Sequence, residues 1–122
     1  MAHEFEGVKQ IDIEELKQVI MEKRNDQVVI DVREPEEYEE GHIEGVPLIP
    51  MHSIPEMAQD FDSSKEHIFV CRSGNRSHKV ARYLKDQGFD KVTNFHGGML
   101  IWDEEKKEGN EWHVHDAKEL YK

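Results

Sequence analysis

The chemistry predicted for this chain centres on its one cysteine, Cys71, which ends an apolar run that begins at Ile68. A polar and partly basic segment follows directly, made of Arg72, Ser73, Gly74, Asn75, Arg76 and Ser77. A cysteine reacts as a nucleophile in its thiolate form, and neighbouring cations favour that form. These residue types therefore predict a nucleophile and an anion-binding loop within one short segment.

The loop is also predicted to lie at the start of a helix. A helical pattern begins at Asn75 or Ser77 and continues to about Asp86. The first N–H groups of such a helix point back toward the loop and, together with the helix dipole, attract negative charge. Gly74 allows the backbone to curl so that successive N–H groups converge on one anion. Both features favour a thiolate at Cys71 and would hold the anion that it attacks.

The elements that must position this loop follow from the hydrophobic pattern. Short apolar runs predict strands at residues 8–11, 28–32, 68–71 and 92–95. Between and around them, helices are predicted over residues 13–20, 35–40, 54–61, 75–86 and 100–109. Strands that alternate with helices indicate an α/β domain with a mainly parallel sheet. Ligands of such sheets bind beyond the carboxyl ends of the strands, where Cys71 and Asp31 are both expected.

Three segments of the chain resemble one known family. "CRSGNRS" at residues 71–77 resembles the active-site loop of rhodanese-like sulfurtransferases. "VVIDVREPEEYEEGHIEGVPLIP" resembles the early signature of that family, and "GFDKVTNFHGGMLIWDEE" resembles its closing signature. The three segments occur in the family's order and cover about residues 10 to 105, which makes the match specific. The chain departs from the family at Pro47, which removes a hydrogen-bond donor from an extended segment.

The resemblance implies a single rhodanese-like domain over residues 1–122, with a core at about 8–108 and a tail at about 109–122. Its fold would be α/β, with a mainly parallel five-stranded sheet and helices on both faces. Cys71 would take a sulfane sulfur from a donor such as thiosulfate and pass it, as a persulfide, to cyanide or a thiol. The backbone amides from Arg72 to Ser77 would hold the outer sulfur, and the two arginines would attract the anionic donor. No cofactor and no metal are implied.

Two alternative functions stay open. Phosphatases and arsenate reductases of related fold also use a cysteine in an anion loop, but their loop is one residue longer. Here four residues separate Cys71 from Arg76, a smaller ring that fits a single sulfur atom better than a tetrahedral oxyanion. Rhodanese-like domains also serve as binding or regulatory modules, often where the cysteine is lost. The presence of Cys71 favours an enzyme.

The composition of the chain limits the kinds of partner that it is expected to bind. The 122-residue chain carries a formal net charge of −11, which disfavours binding to nucleic acid or to an anionic membrane. A single cysteine is typical of a reducing compartment, and residues 1–20 contain no long apolar run. We therefore expect a cytoplasmic monomer that binds a small sulfur-containing anion, with a sulfur-acceptor protein as a second candidate partner.

Several other polar side chains invite a functional reading. Asp31 and Arg33 are expected to be structural, with Arg33 paired to a nearby glutamate, and His42 to be a hydrogen-bonded structural histidine. His78 follows the loop and is expected to be solvated unless it faces the pocket. His113 and His115, beside Asp116, lack a clear further ligand, so they do not predict a zinc site.

Overall fold

The structure, a computed structural model that describes residues 3–121, is built on one five-stranded sheet with the strand order β1-β2-β5-β4-β3. The strands are β1 (His3–Phe5), β2 (Val8–Ile11), β3 (Gln27–Asp31), β4 (Glu66–Val70) and β5 (Val92–Phe95). The pairs β2–β5, β5–β4 and β4–β3 are parallel, whereas β1 pairs with β2 antiparallel. The mainly parallel α/β fold predicted from the sequence is therefore confirmed.

Strand β1 was missed because all three of its residues are exposed and carry no apolar alternation. It joins β2 through a two-residue turn at Glu6 and Gly7, with φ angles of 53° and 81°. Positive φ at both central residues is typical of the tight turns that connect twisted antiparallel strands. The turn precedes β2, at the amino end of the parallel strands, and places Glu6 beside His78 and Arg82.

Within residues 3–121 the structure has four α-helices: α1 (Ile13–Glu22), α2 (Pro35–Glu40), α3 (Ile54–Met57) and α4 (Asn75–Asp86). The predicted capping box at the start of α1 is present, with Glu15 N 2.8 Å from Asp12 Oδ1. Leu16 of α1 packs in one apolar cluster and Leu84 of α4 in the other, one on each face of the sheet. The helices therefore lie on both faces, as predicted.

Strand β4 is buried on both faces and divides its side chains between the two clusters. Ile68 and Val70 pack in the cluster of α1, whereas Phe69 and Cys71 pack in the cluster of α4. This division follows from the two-residue period of a strand, in which successive side chains point to opposite faces. The period therefore directs the thiol toward the face on which α4 begins.

The prediction of a helix over residues 100–109 is wrong. The structure has only a short 3₁₀ turn at Gly98–Leu100, and no helix occupies residues 101–109. The backbone of this segment bonds to the end of α2 instead, since Lys107 N lies 2.8 Å from His42 O and Gly109 N lies 2.8 Å from Glu39 O. Those distant partners replace the bonds that a helix would have formed within the segment.

The segment after Gly109, which was expected to lie outside the core, contributes the buried residues Val114 and Ala117 to it. Val114 N bonds to Leu48 O, so the segment runs beside the extended stretch that contains Pro47. Leu48 in turn bridges to Asp31 at the end of β3. Among residues 3–121, no helix combines the length and apolarity needed to cross a bilayer.

Candidate functional site

Cys71 directly follows β4, at the edge of the sheet where all the parallel strands end. The chain then curls through Gly74, whose φ of 96° lies in the left-handed region that favours glycine, and enters α4. This curl directs the Gly74 N–H at the thiol, with N 3.1 Å from Cys71 Sγ, and Ser77 Oγ lies 3.3 Å from the same sulfur. The loop from Arg72 to Ser77 thus surrounds one sulfur atom at the start of a helix.

The loop is closed over the sulfur. Cys71 has no exposed surface and packs with the apolar residues of the α4 face. A second turn is bonded to the outside of the loop, since Met99 N lies 2.9 Å from Cys71 O and Leu100 N lies 2.9 Å from Arg72 O. A reactant from solvent can therefore reach Cys71 Sγ only after part of this cover moves.

The two loop arginines have different surroundings. Arg76 donates two hydrogen bonds to Glu37 of α2, at 2.7 Å to Oε1 and 2.9 Å to Oε2. Arg72 is exposed and lines a groove outside the loop, together with Arg33, Leu100 and Lys106. The charge of Arg76 is thus largely committed to an ion pair, and Arg72 is the loop cation that faces solvent.

The Glu37–Arg76 pair predicts a pH-dependent stability. The hydrogen bonds from Arg76 lower the pKa of Glu37 from 4.5 to about 2. Because the pKa of Glu37 is lower in the folded state, the ionised carboxylate stabilises the folded protein above pH 4.5. This contribution to the free energy of unfolding is lost as the pH falls toward 2. We expect Glu37→Gln to reduce the free energy of unfolding at pH 7 by about 1 kcal/mol, because the pair is partly screened by solvent.

Urea unfolding of both proteins at pH 7, 5 and 3 measures this effect, and the difference between them should shrink at pH 3. The exposed Glu36 of the same helix provides the control, and Glu36→Gln should show no comparable pH dependence. An equal difference between wild type and Glu37→Gln at all three pH values would contradict the assignment.

Asp31 and Arg33 form a buried ion pair rather than separate structural contacts. Arg33 Nη2 lies 2.8 Å from Asp31 Oδ2 and 2.9 Å from Gly41 O, and the two side chains are 7% and 1% exposed. The expected pairing of Arg33 with a glutamate is therefore wrong. The chain bends after β3, so the guanidinium folds back onto Asp31, whose carboxylate also accepts the Arg33 N–H.

The histidines are placed in three different ways. His42 is fully buried, stacks on Tyr38 and bonds to Tyr38 O and Glu111 Oε1, so it is structural as predicted. His78 lies at the loop, with Nε2 2.8 Å from Glu6 Oε1. His113 and His115 stack on each other, and within residues 3–121 no three histidine, cysteine or acidic side chains are grouped to hold a metal.

Two buried amides beside the loop were missed by the sequence reasoning. Gln10 of β2 and Asn94 of β5 are opposite each other in the sheet register, and each is 2% exposed. Asn94 Nδ2 lies 2.8 Å from Gln10 Oε1, and Ser77 Oγ lies 2.5 Å from Asn94 Oδ1. The available signal was a polar amide within each of two apolar strands, where an unpaired amide would be costly.

Comparison with known proteins agrees with this geometry. A family model described as "Rhodanese-like domain" matches residues 12–105. YtwF of Bacillus subtilis (strain 168) is 45% identical over 103 residues, which cover 84% of this chain and 98% of YtwF. "Thiosulfate sulfurtransferase GlpE" of Pseudomonas entomophila (strain L48) is 37% identical over 75 residues, or 62% of this chain and 69% of that protein.

A solved structure extends the similarity to three dimensions. The crystal structure of a rhodanese-like domain protein from Staphylococcus aureus superimposes with a TM-score of 0.73 at 37% sequence identity. The match covers 82% of this chain and 97% of that one. The fold is thus shared over nearly the whole of the solved domain.

Proposed function

Because this chain belongs to the rhodanese-like domain family, we propose that Cys71 carries a sulfane sulfur as a persulfide, taken from a donor such as thiosulfate. The relatives that are named sulfurtransferases support rhodanese-type sulfur transfer. The observation that carries the proposal is the Gly74 N–H, which lies 3.1 Å from Cys71 Sγ at the start of α4. A hydrogen-bond donor that points at the sulfur stabilises negative charge on it, both in the thiolate and in the persulfide.

The proposed reaction has two steps. The Cys71 thiolate attacks the outer sulfur of thiosulfate, a new S–S bond forms, and the old S–S bond breaks with its electron pair leaving on sulfite. A thiophilic acceptor, such as cyanide or a thiol, then attacks the outer sulfur of the persulfide and restores the thiolate. Such a covalent intermediate divides one difficult transfer into two easier ones. No dissociable cofactor enters either step.

The start of α4 provides a place for the outer sulfur. The N–H groups of Asn75, Arg76 and Ser77 lie in the first turn of the helix, where no intrahelical carbonyl is available to them. Together with the Gly74 N–H, they would hold an anionic sulfur without any side-chain charge. We assign the loop backbone to binding and Arg72, at the solvent, to attracting the donor.

Sulfur transfer requires the loop to open, because Cys71 has no exposed surface. The groove that Arg72, Lys106 and Leu100 line lies directly outside the loop. Glu37 and Glu40 line the groove as well, but Glu37 is paired with Arg76. The exposed cations Arg72 and Lys106 therefore outweigh Glu40, and this excess of positive charge would attract a divalent anion such as thiosulfate. We propose this groove as the approach of the donor.

The test is sulfur loading of the intact protein. After incubation with thiosulfate, we expect mass spectrometry to show the gain of one sulfur atom, which cyanide then removes. Cys71→Ser should gain none, because a serine hydroxyl cannot form a persulfide. Sulfur gain by the variant, or none by a folded wild type, would overturn the proposal, and hydrolysis of p-nitrophenyl phosphate instead would favour the phosphatase alternative.

A further inference from the structure

A buried line of polar side chains connects Cys71 to His78, and the proposed reaction does not yet use it. The line begins at Ser77 Oγ, which lies 3.3 Å from Cys71 Sγ and 2.5 Å from Asn94 Oδ1. It continues through Gln10, whose Oε1 lies 2.8 Å from Asn94 Nδ2 and whose Nε2 lies 3.1 Å from His78 Nδ1. Ser77, Asn94 and Gln10 are each at most 2% exposed, so solvent does not replace any of these bonds.

The bonds near the sulfur have a definite direction. Asn94 Nδ2 contacts two acceptors, Gln10 Oε1 and, at 3.2 Å, Gly74 O, so Asn94 Oδ1 faces Ser77. An amide oxygen only accepts, and a serine hydroxyl has a single proton. Ser77 therefore donates to Asn94, and its oxygen accepts the bond from the Cys71 S–H. The arrangement in the structure fits a neutral thiol.

The direction at the other end is fixed in the same way. Gln10 Nε2 faces the carbonyl oxygen of Val8, at 3.2 Å, as well as His78 Nδ1. An amide nitrogen only donates, so His78 Nδ1 accepts and the ring proton sits on Nε2, which faces Glu6 Oε1. The neutral thiol is therefore matched with a neutral His78.

We propose that His78 is a positioning residue that sets the proton state of Cys71 through Gln10, Asn94 and Ser77. Once His78 takes a proton on Nδ1, that nitrogen donates a hydrogen bond to Gln10. The side-chain amides of Gln10 and Asn94 must then flip, so that their oxygen and nitrogen atoms exchange places. Asn94 Nδ2 then donates to Ser77, and the Ser77 hydroxyl donates to the sulfur. The proton lost by the thiol and the proton gained by His78 are exchanged with water, and no other covalent bond changes.

The two directions of the line are thus two matched states, a thiol with neutral imidazole and a thiolate with imidazolium. In the second state the amides give up their bonds to Val8 O and Gly74 O. The Ser77 hydroxyl, which donates to Asn94 in the first state, donates to the thiolate in the second. This inference rests on the proposed function only in that the thiolate is the form that accepts sulfur.

Charged side chains surround His78 at the outer end of the line. Glu6 faces Nε2 directly from the turn between β1 and β2, at 2.8 Å. Arg82, one turn further along α4, is paired with the same Glu6 at 3.2 Å. Lys79 and His96 line the same groove, and Phe5 packs against the His78 ring. Glu6 is therefore the charged side chain that bonds directly to the imidazole.

The backbone of Glu6 supports a role for its carboxylate. Its φ of 53° is rare for a residue with a side chain, and asparagine or glycine would occupy this turn position at lower cost. Residues with a strained backbone conformation are often found at functional sites, where their side chains bind or position other groups. Here the side chain bonds to His78 and Arg82, at the outer end of the line.

The experiment measures how fast iodoacetamide alkylates Cys71, the only thiol in the chain, between pH 5 and 10. The readout is the pH of half-maximal rate, because opening of the loop scales the rate equally at every pH. In His78→Gln, which bonds but does not take a proton in this range, we expect the midpoint to rise by about one pH unit. His115→Gln, which changes an exposed histidine away from the loop, should leave the midpoint unchanged.

A double-mutant cycle separates the line of bonds from a simple effect of charge. If Asn94 transmits the state of His78, then His78→Gln should have no further effect on the midpoint in an Asn94→Leu protein. Gln10→Met interrupts the line at a second point and should give the same result if Asn94→Leu does not fold. A midpoint that still moves in both backgrounds, or that does not move in His78→Gln alone, would overturn the inference.

The outcome is independent of the sulfur-loading test, because alkylation needs no sulfur donor. Loading with thiosulfate and no coupling in the cycle would leave the proposed function standing and remove the role of His78. Coupling without loading would keep the line of bonds and remove the proposed function. The two claims therefore fail separately.

Discussion

Arg33→Met is expected to lower the free energy of unfolding by about 4 kcal/mol, because it leaves the Asp31 carboxylate buried without its partner. Arg33 Nη2 bonds to both Asp31 Oδ2 and Gly41 O, and only 1% of the Asp31 side chain is exposed. Methionine preserves most of the length and apolar packing of arginine but donates no hydrogen bond. Urea or thermal unfolding, monitored by circular dichroism, measures the loss.

The chain contains a matched control at its surface. Arg24 pairs with Asp26 with the same two-residue spacing, and its guanidinium bonds to both carboxylate oxygens. That pair is exposed to solvent, so Arg24→Met should change the stability very little. Equal losses in the two variants would show that burial of the Asp31 carboxylate does not determine the cost.

Gly98→Ala is expected to cost about 3 kcal/mol and to impair sulfur loading at least tenfold, since the methyl group would collide with the loop. A Cβ at this position would lie 2.5 Å from both Arg72 O and Cys71 O, which are backbone atoms that cannot rotate away. The loop or the turn must then shift, and the Met99 N–H that bonds to Cys71 O would shift with it. Unfolding and mass-spectrometric loading with thiosulfate measure the two effects.

Gly45→Ala separates the collision from the backbone strain. Gly45 has a φ of 83°, compared with 62° at Gly98, so alanine is at least as strained there. Nothing lies within 4 Å of a Cβ at Gly45, so only the strain remains. This variant should lose less stability and load sulfur normally, and a loss equal to that of Gly98→Ala would contradict the close approach.

The features that the sequence predicted are those determined by neighbouring residues. The capping box of Asp12 and Glu15 and the apolar strand before Cys71 each depend on a few adjacent side chains. The curl at Gly74 and the helix after it are local in the same sense, so the loop around the sulfur could be predicted closely.

The features that were missed depend on residues far apart in the chain. Residues 100–109 contain good helix formers, yet Lys107 bonds to His42 instead, because the end of α2 offers partners that no local pattern reveals. Gln10 and Asn94 meet only because β2 and β5 pair in one register. The partner of Arg33 was mistaken for a related reason, since its choice depends on how the chain bends after β3.

The closed loop over Cys71 also bears on damage by oxidants. Peroxides convert an accessible thiolate to sulfenic acid and then irreversibly to sulfinic and sulfonic acids. A neighbouring thiol can trap the sulfenic acid as a disulfide, but this chain contains no second cysteine. Burial of the sulfur beneath Gly74 and the turn at Gly98–Leu100 would therefore protect it from oxidants, and the same cover would hinder a disulfide between two copies of the chain.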